Sequence, residues 1–322
     1  MQTGCYRFIC RFVTPAFLPA FKGSTLRGAF GHALKRVACA LRRQPCEACL
    51  LHDTCSYSFI FEVSKTLPEN GNGQPRIAAR PHPFVLDPPL TSQRSYAADD
   101  SLEFGLTLFG RANDYLPHIV YAVEQMGEAG LGKGAGEELG KFQLVAVHSN
   151  DIAIYDGARK VLAQNFPVPR LILEPAPLEP VTSLIVNLLT PLRLKYLNQL
   201  QETLPFHVLI RAALRRIASL TEAYGDGEPD LDYAGLVRRA EKVETRHSDC
   251  HWLDLRRYSN RQKSEMLVGG VQGRMEYSGE LAEFLSLLRY CEITRLGKQT
   301  AFGLGGLRWR GNGGWHRTWA VM

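Results

Sequence analysis

The feature that most constrains the fold of this 322-residue chain is an internal repeat at an offset of 165 residues. The triplet Leu-Gly-Lys at residues 131–133 recurs at 296–298, and the segment 140–144 aligns with 305–309. Apolar residues at helical spacing precede each copy. Both copies therefore predict a helix, a glycine-rich loop and a strand in the same order.

A second correspondence lies nearer the start of each half. A Thr-Pro pair at residues 14–15 and another at 190–191 each end an apolar, strand-like segment. An amphipathic helix follows each pair, over residues 26–37 and 208–217, and strand signals occupy the intervals between helices. Each half thus reads as β-α-β-β-α-β, which predicts an α+β protein of two tandem ferredoxin-like domains, the topology that RNA-recognition domains also use.

The domain boundaries follow from this duplication and from proline content. We expect an N-terminal domain over residues 1–165, a proline-rich linker over 166–180 and a C-terminal domain over 181–322. Polar and proline- or glycine-rich composition predicts irregular excursions at 66–100 and 222–250.

Charge is unevenly distributed between the halves. The net charge is +6, of which about +1 falls in residues 1–180 and about +5 in residues 181–322. A basic second half favours a polyanionic partner such as RNA over a membrane. No apolar segment reaches the roughly 18 residues of a membrane span, and the N-terminus lacks the pattern of a signal peptide, so we expect a cytoplasmic protein.

Four cysteines, Cys39, Cys46, Cys49 and Cys55, cluster within residues 39–55 of the first domain. A reducing compartment argues against disulfides, and four thiolates at this spacing can surround one tetrahedral Zn²⁺ ion. Because four protein ligands leave no open position, such a zinc would be structural. Four reduced thiols and an iron–sulfur cluster are the alternatives that the spacing leaves open.

The glycine-rich segment 295–306 in the second half could bind an anion. Its missing side chains allow close approach of backbone N–H groups to a phosphate, and Arg295 and Lys298 supply positive charge. The alternative is a tight helix-to-strand turn that requires positive φ angles. A second basic segment, residues 254–263, carries cations, hydroxyls and amides that suit contacts to phosphates and bases, or equally a charged surface turn.

The first helix offers the candidate catalytic group. Its predicted buried stripe consists of Leu26, Phe30, Ala33, Leu34, Val37 and Leu41. His32 lies off this stripe, and Lys35 shares its face three residues later. An imidazole titrates near neutral pH and suits acid–base chemistry, while a lysine can stabilise charge on a phosphate. A lone histidine is more often a surface residue without a catalytic role.

Several of these segments together resemble the CRISPR precursor-RNA processing endoribonucleases of the RAMP superfamily. The resemblance spans nearly the whole chain and rests on the order of its motifs. These motifs are residues 26–30, the four-cysteine loop, and residues 106–112, 130–133, 190–195, 257–263 and 297–305.

The resemblance implies cleavage without a catalytic metal, by attack of a ribose 2′-OH on the adjacent phosphate, with His32 as the acid–base residue and Lys35 as its neighbour. CRISPR repeat RNA would be the substrate. The residues expected to bind it are Arg27, Lys195, Arg257, Arg261, Gln262, Lys263, Arg295, Lys298, Gly303 and Gly305. One departure stands out, because many relatives carry histidine where this chain has Arg295.

Two other classes of protein remain open. The chain could be a catalytically inactive RAMP subunit that holds guide RNA among other CRISPR effector subunits, or a metal-binding RNA adaptor outside CRISPR systems. Cleavage of repeat RNA separates the first reading from both alternatives.

Overall fold

The computed structural model describes residues 1–62, 80–132, 140–259, 264–311 and 314–315, and within these ranges it leaves out the side chains of 256–259, 264–266 and 314–315. The chain divides into two compact units. The first contains Met1–Arg170 and Ser219–Gly227, and the second contains Leu171–Ala218 and the described residues from Glu228 onward. The division after Arg170 falls inside the segment expected to be the linker. Nothing in the sequence indicated that residues 219–227 belong with the first unit.

The first unit is built on a six-stranded antiparallel sheet of order β3-β5-β1-β6-β7-β8. Its strands are β1 (Thr3–Phe12), β2 (Ala16–Phe17), β3 (Phe84–Asp87), β4 (Ser95–Tyr96), β5 (Ser101–Phe109), β6 (Phe142–Ser149), β7 (Ile152–Asp156) and β8 (Val161–Leu162). Its helices are α1 (Gly23–Ala38), α2 (Ser56–Phe61) and α3 (Leu116–Ala129). Alternate residues of β1, such as Phe8 and Cys10, are fully buried, which is the period expected of a strand with one face on a core.

The second unit is built on a five-stranded antiparallel sheet of order β12-β13-β9-β14-β15. Its strands are β9 (Ser183–Leu192), β10 (Lys195–Tyr196), β11 (Gln199–Leu200), β12 (Glu244–Ser259), β13 (Ser264–Ser278), β14 (Leu307–Gly311) and β15 (Gly314–Trp315). Its helices are α4 (Phe206–Tyr224), whose residues from Ser219 are grouped with the first unit, α5 (Tyr233–Ala240) and α6 (Leu285–Thr294).

The two sheets share one topology. Numbered within its own unit, the central part of each sheet has the strand order 2-3-1-4, as β3-β5-β1-β6 in the first unit and β12-β13-β9-β14 in the second. With the helices placed after the first and third of these strands, this is the ferredoxin-like arrangement. The predicted fold class, two tandem ferredoxin-like domains, is therefore confirmed.

The glycine-rich loop of the first unit is held by a specific set of backbone hydrogen bonds. The N–H of Leu131 donates to the carbonyl of Gly140 at 2.8 Å, and the N–H of Gly140 donates to the carbonyl of Pro15 at 2.8 Å. The N–H of Lys141 donates to Oγ1 of Thr14 at 3.0 Å. Gly140 has a φ of +69°, and a Cβ there would lie 2.0 Å from the Leu131 carbonyl oxygen, so only glycine fits.

The second unit repeats this arrangement. The N–H of Leu296 donates to Gly305 at 2.9 Å, that of Gly305 to Pro191 at 3.0 Å, and that of Gly306 to Oγ1 of Thr190 at 2.8 Å. Gly305 has a φ of +75°, and a Cβ would lie 1.7 Å from the Leu296 carbonyl oxygen. The sequence repeat thus encodes the same hydrogen bonds at the base of the loop twice, and the Thr-Pro pair at or after the end of each first strand is the partner that they share.

Three local expectations were wrong. Helix α1 ends at Ala38, so Leu41 lies beyond it and is 37% exposed instead of buried. Residues 84–87, expected to be irregular, form β3, which is buried and pairs with β5. Residues 222–250 include α5 and the start of β12. Among the described residues, no helix is long and apolar enough to cross a membrane.

Candidate nucleic-acid interface

His32 lies on an open face of α1. Leu26, Phe30 and Leu34 bury the opposite side of this helix, which leaves His32 exposed. Gly28 lies one turn before His32, and a Cβ built on it would meet no atom within 4 Å. The imidazole is therefore accessible on the exposed face of α1, as a catalytic group acting on RNA requires.

Lys35 follows His32 by three residues and lies beside α2. Its Nζ is 5.3 Å from the centre of the Tyr57 ring. The Arg27 guanidinium is 5.3 Å from the centre of the Phe61 ring, and the rings of Tyr57 and Phe61 stack with centres 5.5 Å apart. These cation–π contacts orient two cations next to the open face of α1. The predicted residues Arg27, His32 and Lys35 thus lie on one helix in the first unit.

Tyr57 itself is a poor proton acceptor at neutral pH. Burial, together with the nearby carboxylate of Glu62, raises the pKa of Tyr57 to about 12. The phenol is consequently protonated at neutral pH and does not serve as a general base. His32 is the residue of this surface whose side-chain type most often serves as a general acid or base.

The four cysteines bracket the segment between α1 and α2. Cys39 follows the last residue of α1, Cys46 begins a short 3₁₀ turn, and Cys55 directly precedes α2. Burial raises the pKa of the Cys46 thiol, the Lys35 ammonium lowers it, and electrostatic interactions with Glu62, Cys39 and Cys55 raise it further. Among the described residues, no group of three or more His, Cys, Asp or Glu side chains is arranged to hold a metal ion. The zinc site stays a prediction.

Three residues of the glycine-rich loop are not placed to contact RNA as predicted. Arg295 is only 5% exposed. Gly303 and Gly305 are buried, and their N–H groups donate to the carbonyls of Thr300, at 3.0 Å, and Pro191. Positive φ angles at Arg295, Gly303 and Gly305 support the reading of this segment as a tight turn. The contact that the loop can offer to a phosphate is therefore Lys298.

Lys298 is exposed and belongs to a group of four cations, which we call the cation cluster: Arg193, Lys195, Arg215 and Lys298. Partial burial lowers the pKa of Lys298, and the charges of Lys195, Arg193 and Arg215 lower it further. The N–H of Lys298 donates to the Arg193 carbonyl at 2.9 Å, which fixes the loop against the end of β9. Like charges held this close create a positive potential that favours a polyanion.

Among the described residues, no carboxylate forms an ion pair with the cation cluster. Within the part of the chain that the structure describes, the ion pairs join other cations to acids, and none involves a member of the cluster. The Arg193 guanidinium donates to the Gly269 carbonyl at 2.8 Å. Lys195 and Lys298 were predicted from the sequence, whereas Arg193 and Arg215 were not. Proximity in the fold, which a single sequence does not display, brings these two residues to the cluster.

The remaining predicted residues belong to the chain segment 257–263. Arg257 is in β12, with its backbone paired to Met266, but its side chain is outside the described residues. Arg261, Gln262 and Lys263 also lie outside the described residues, between the two strands. Their contacts with RNA stay predictions.

Comparison with known proteins agrees with this architecture. A family model described as an N-terminal domain matches residues 1–166, and the model of the CRISPR-associated endoribonuclease Cas6 matches residues 186–307. An uncharacterized protein of Archaeoglobus fulgidus is 30% identical over 310 residues, which cover 94% of this chain and 97% of that protein.

Solved structures share the fold at low sequence identity. A partial Cas6-RT-Cas1–Cas2 complex matches with a TM-score of 0.59 at 12% identity, over 100% of this chain and 48% of that chain, so this chain spans about half of that larger one. Thermus thermophilus Cas6 matches with a TM-score of 0.53 at 15% identity, over 95% of this chain and 97% of that one.

The fold and the basic surface define a protein with two tandem ferredoxin-like domains. With the match to the Cas6 model, this chain belongs to the CRISPR-associated RNA-processing family of the Cas6 endoribonucleases.

Proposed function

We propose that this protein is an endoribonuclease that cleaves CRISPR precursor RNA within its repeats and releases guide RNAs, without a catalytic metal. The observation that carries the proposal is the exposed His32 on the open face of α1, beside Lys35, in a chain that belongs to the Cas6 family. Membership in this family supports RNA processing, and the histidine supplies the group that the chemistry needs.

The reaction is an internal transfer at one phosphodiester. The 2′-oxygen of a ribose attacks the adjacent phosphorus, the bond to the 5′-oxygen of the next nucleotide breaks, and a 2′,3′-cyclic phosphate and a 5′-OH result. His32 moves a proton in this step, either from the 2′-OH in its neutral form or to the leaving 5′-oxygen in its protonated form. The Lys35 ammonium stabilises negative charge on the phosphorane.

RNA binding is assigned mainly to the second unit. The cation cluster contacts backbone phosphates through Lys195 and Lys298, and Arg257, Arg261 and Lys263 are proposed as further phosphate contacts. Such contacts position the RNA without reading its sequence. CRISPR repeat RNA is the proposed partner, with other CRISPR effector subunits as further partners of a cytoplasmic protein.

The four-cysteine loop is proposed to hold one structural zinc. Thiolates are ligands that Zn²⁺ favours, and three of these thiols already interact electrostatically. In this proposal the metal would stabilise the connection between α1 and α2 and would take no part in cleavage.

A catalytically inactive RNA-holding subunit is the second candidate. It is favoured by one observation, namely that the position where many relatives carry histidine is the buried Arg295. In that case the cation cluster would serve RNA retention alone.

The two candidates differ in their products. End-labelled repeat RNA from the organism's own CRISPR array should be cut at one position by the purified full-length protein in EDTA. A phosphatase removes a terminal phosphate monoester but leaves a 2′,3′-cyclic phosphate intact. A product that loses its phosphate only after acid has opened the ring therefore carries the cyclic phosphate. Tight binding with no product at enzyme excess would contradict the nuclease and support the inactive subunit.

A further inference from the structure

Residues 195–200 of the second unit carry an aromatic ring, Tyr196, next to the cation cluster. β10 and β11, with two residues each, form a short hairpin in which Lys195 pairs with Leu200 and Tyr196 pairs with Gln199. The two turn residues, Leu197 and Asn198, have φ angles of +49° and +62°. A leucine in this left-handed conformation is strained, and its side chain is 80% exposed.

Two side chains of α4 hold the Tyr196 ring. The Arg211 guanidinium is 5.5 Å from the ring centre, and the His207 ring lies edge-on with its centre 5.8 Å away at an interplanar angle of 73°. His207 and Arg211 are four residues apart and therefore share one face of the helix. The ring is half-buried, so its orientation is set by contacts within this unit before any ligand arrives.

Positive charge continues from this ring to the cation cluster. Arg215 lies one turn after Arg211 on the same face of α4, and both are exposed. Two arginines at this spacing repel each other, and in the described part of the chain neither one pairs with a carboxylate. The charges of Lys195, which precedes Tyr196 in β10, and of Arg215 both lower the pKa of Lys298. Cations thus flank an oriented aromatic ring.

We propose that Tyr196, held by His207 and Arg211, is a stacking site for the base of an unpaired nucleotide, while Lys195, Arg215 and Lys298 bind the phosphates next to it. This arrangement of rings and cations is what binding of single-stranded nucleic acid requires, because every base offers a flat face and the backbone offers charge. The inference rests on the proposed RNA-processing function and specifies that this surface takes a single-stranded segment, in preference to a duplex.

The test is binding of a 5′-fluorescein-labelled (A)12 RNA to the full-length protein, followed by anisotropy. Stacking of one base predicts that Tyr196→Ala and Tyr196→Leu each weaken binding by about 5- to 100-fold, whereas Tyr196→Phe, which keeps the ring, binds like wild type. Tyr121→Ala, at a tyrosine of α3 that is 51% exposed, is the matched control and should leave the affinity unchanged.

The salt dependence separates stacking from charge. Tyr196→Ala should keep the slope of log affinity against log salt, and Lys298→Ala should reduce it by about 0.7. A blunt 12-base-pair RNA duplex should bind wild type and Tyr196→Ala alike. Wild-type affinity of Tyr196→Leu for (A)12, or an equal loss for (A)12 and the duplex, would overturn the inference.

Repeat-RNA cleavage by the wild-type protein, measured separately, distinguishes this inference from the proposed function. Ring-dependent binding of (A)12 without cleavage supports the stacking site and contradicts the nuclease. Cleavage of repeat RNA, together with equal (A)12 binding by wild type and Tyr196→Leu, supports the nuclease and contradicts the stacking site.

Discussion

Glu292, in α6, should make the second unit less stable as the pH rises. The residue is 4% exposed. Burial raises the pKa of Glu292 from 4.5 to about 7, although the Trp309 N–H, which donates to Oε1 at 3.1 Å, and the charges of Arg308, Arg289 and Arg295 favour the ionised form. At about 1.36 kcal/mol for each pKa unit, ionising this carboxyl in the folded state costs about 3 kcal/mol more than in the unfolded chain.

The direction of the pH dependence follows from the number of protons that the folded and unfolded states bind. Because the pKa of the folded state lies above that of the unfolded state, the folded state binds more protons between about pH 4 and pH 7. The stability contributed by protonation is therefore complete below about pH 4 and is lost as the pH rises through 7. Glu292→Gln removes this dependence, and its amide oxygen can still accept from the Trp309 N–H.

Urea denaturation at pH 5 and pH 8 tests this reasoning. All four tryptophans lie after residue 250, so their fluorescence reports unfolding of the second half of the chain. We expect Glu292→Gln to be more stable than wild type by about 1–3 kcal/mol at pH 8 and by much less at pH 5. Glu280→Gln, at an exposed carboxylate of the same unit, is the control. Equal differences at both pH values, or a less stable variant at pH 8, would refute the account.

Three further predictions follow from the described contacts. Gly305→Ala should lower the melting temperature sharply, because a Cβ there would overlap the Leu296 carbonyl. Gly28→Ala, at a position in the middle of α1 where a Cβ has space, should leave the melting temperature unchanged or raise it. Equal effects of the two substitutions would contradict the duplicated loop. Lys298→Ala should weaken repeat-RNA binding and reduce the slope of log affinity against log salt concentration by about 0.7. Lys242→Ala, at an exposed lysine, is the control in the same salt titration. An unchanged slope would show that Lys298 does not contact a phosphate. Elemental analysis should find about one zinc per chain, lost in the Cys46→Ser, Cys49→Ser variant and kept in Cys250→Ser; no zinc in wild type purified without chelators would refute the site.

Much of the fold could be predicted because its signals are local. The helical spacing of Leu116, Ile119, Ala122, Val123 and Met126 predicts α3, and all five residues are buried. Gly140 and Gly305 mark the same loop in both halves, since each occupies a positive φ angle against a carbonyl that excludes any side chain. The short strand β3 escaped prediction because four residues between prolines carry too little periodicity.

The site was harder to predict because it depends on tertiary contacts. Arg295 in a glycine-rich loop suggests a surface cation, yet the turn directs it into the interior. Arg215 reaches the cation cluster only because α4 and the loop at Lys298 meet in the folded unit. The pairing of Tyr196 with α4 has the same origin. The four-residue spacing of Arg211 and Arg215 was the one signal in the sequence that could have indicated this surface.

Single-turnover cleavage of repeat RNA in EDTA by wild type and by His32→Ala tests the central claim most directly. The account predicts that His32→Ala loses about 10²–10⁴-fold in rate with almost unchanged RNA affinity, because an acid–base group acts in the transition state. His118→Ala, at an exposed histidine of α3, should cut like wild type, and Lys35→Ala should lose less than His32→Ala. Cleavage by His32→Ala at the wild-type rate would contradict the assignment of His32.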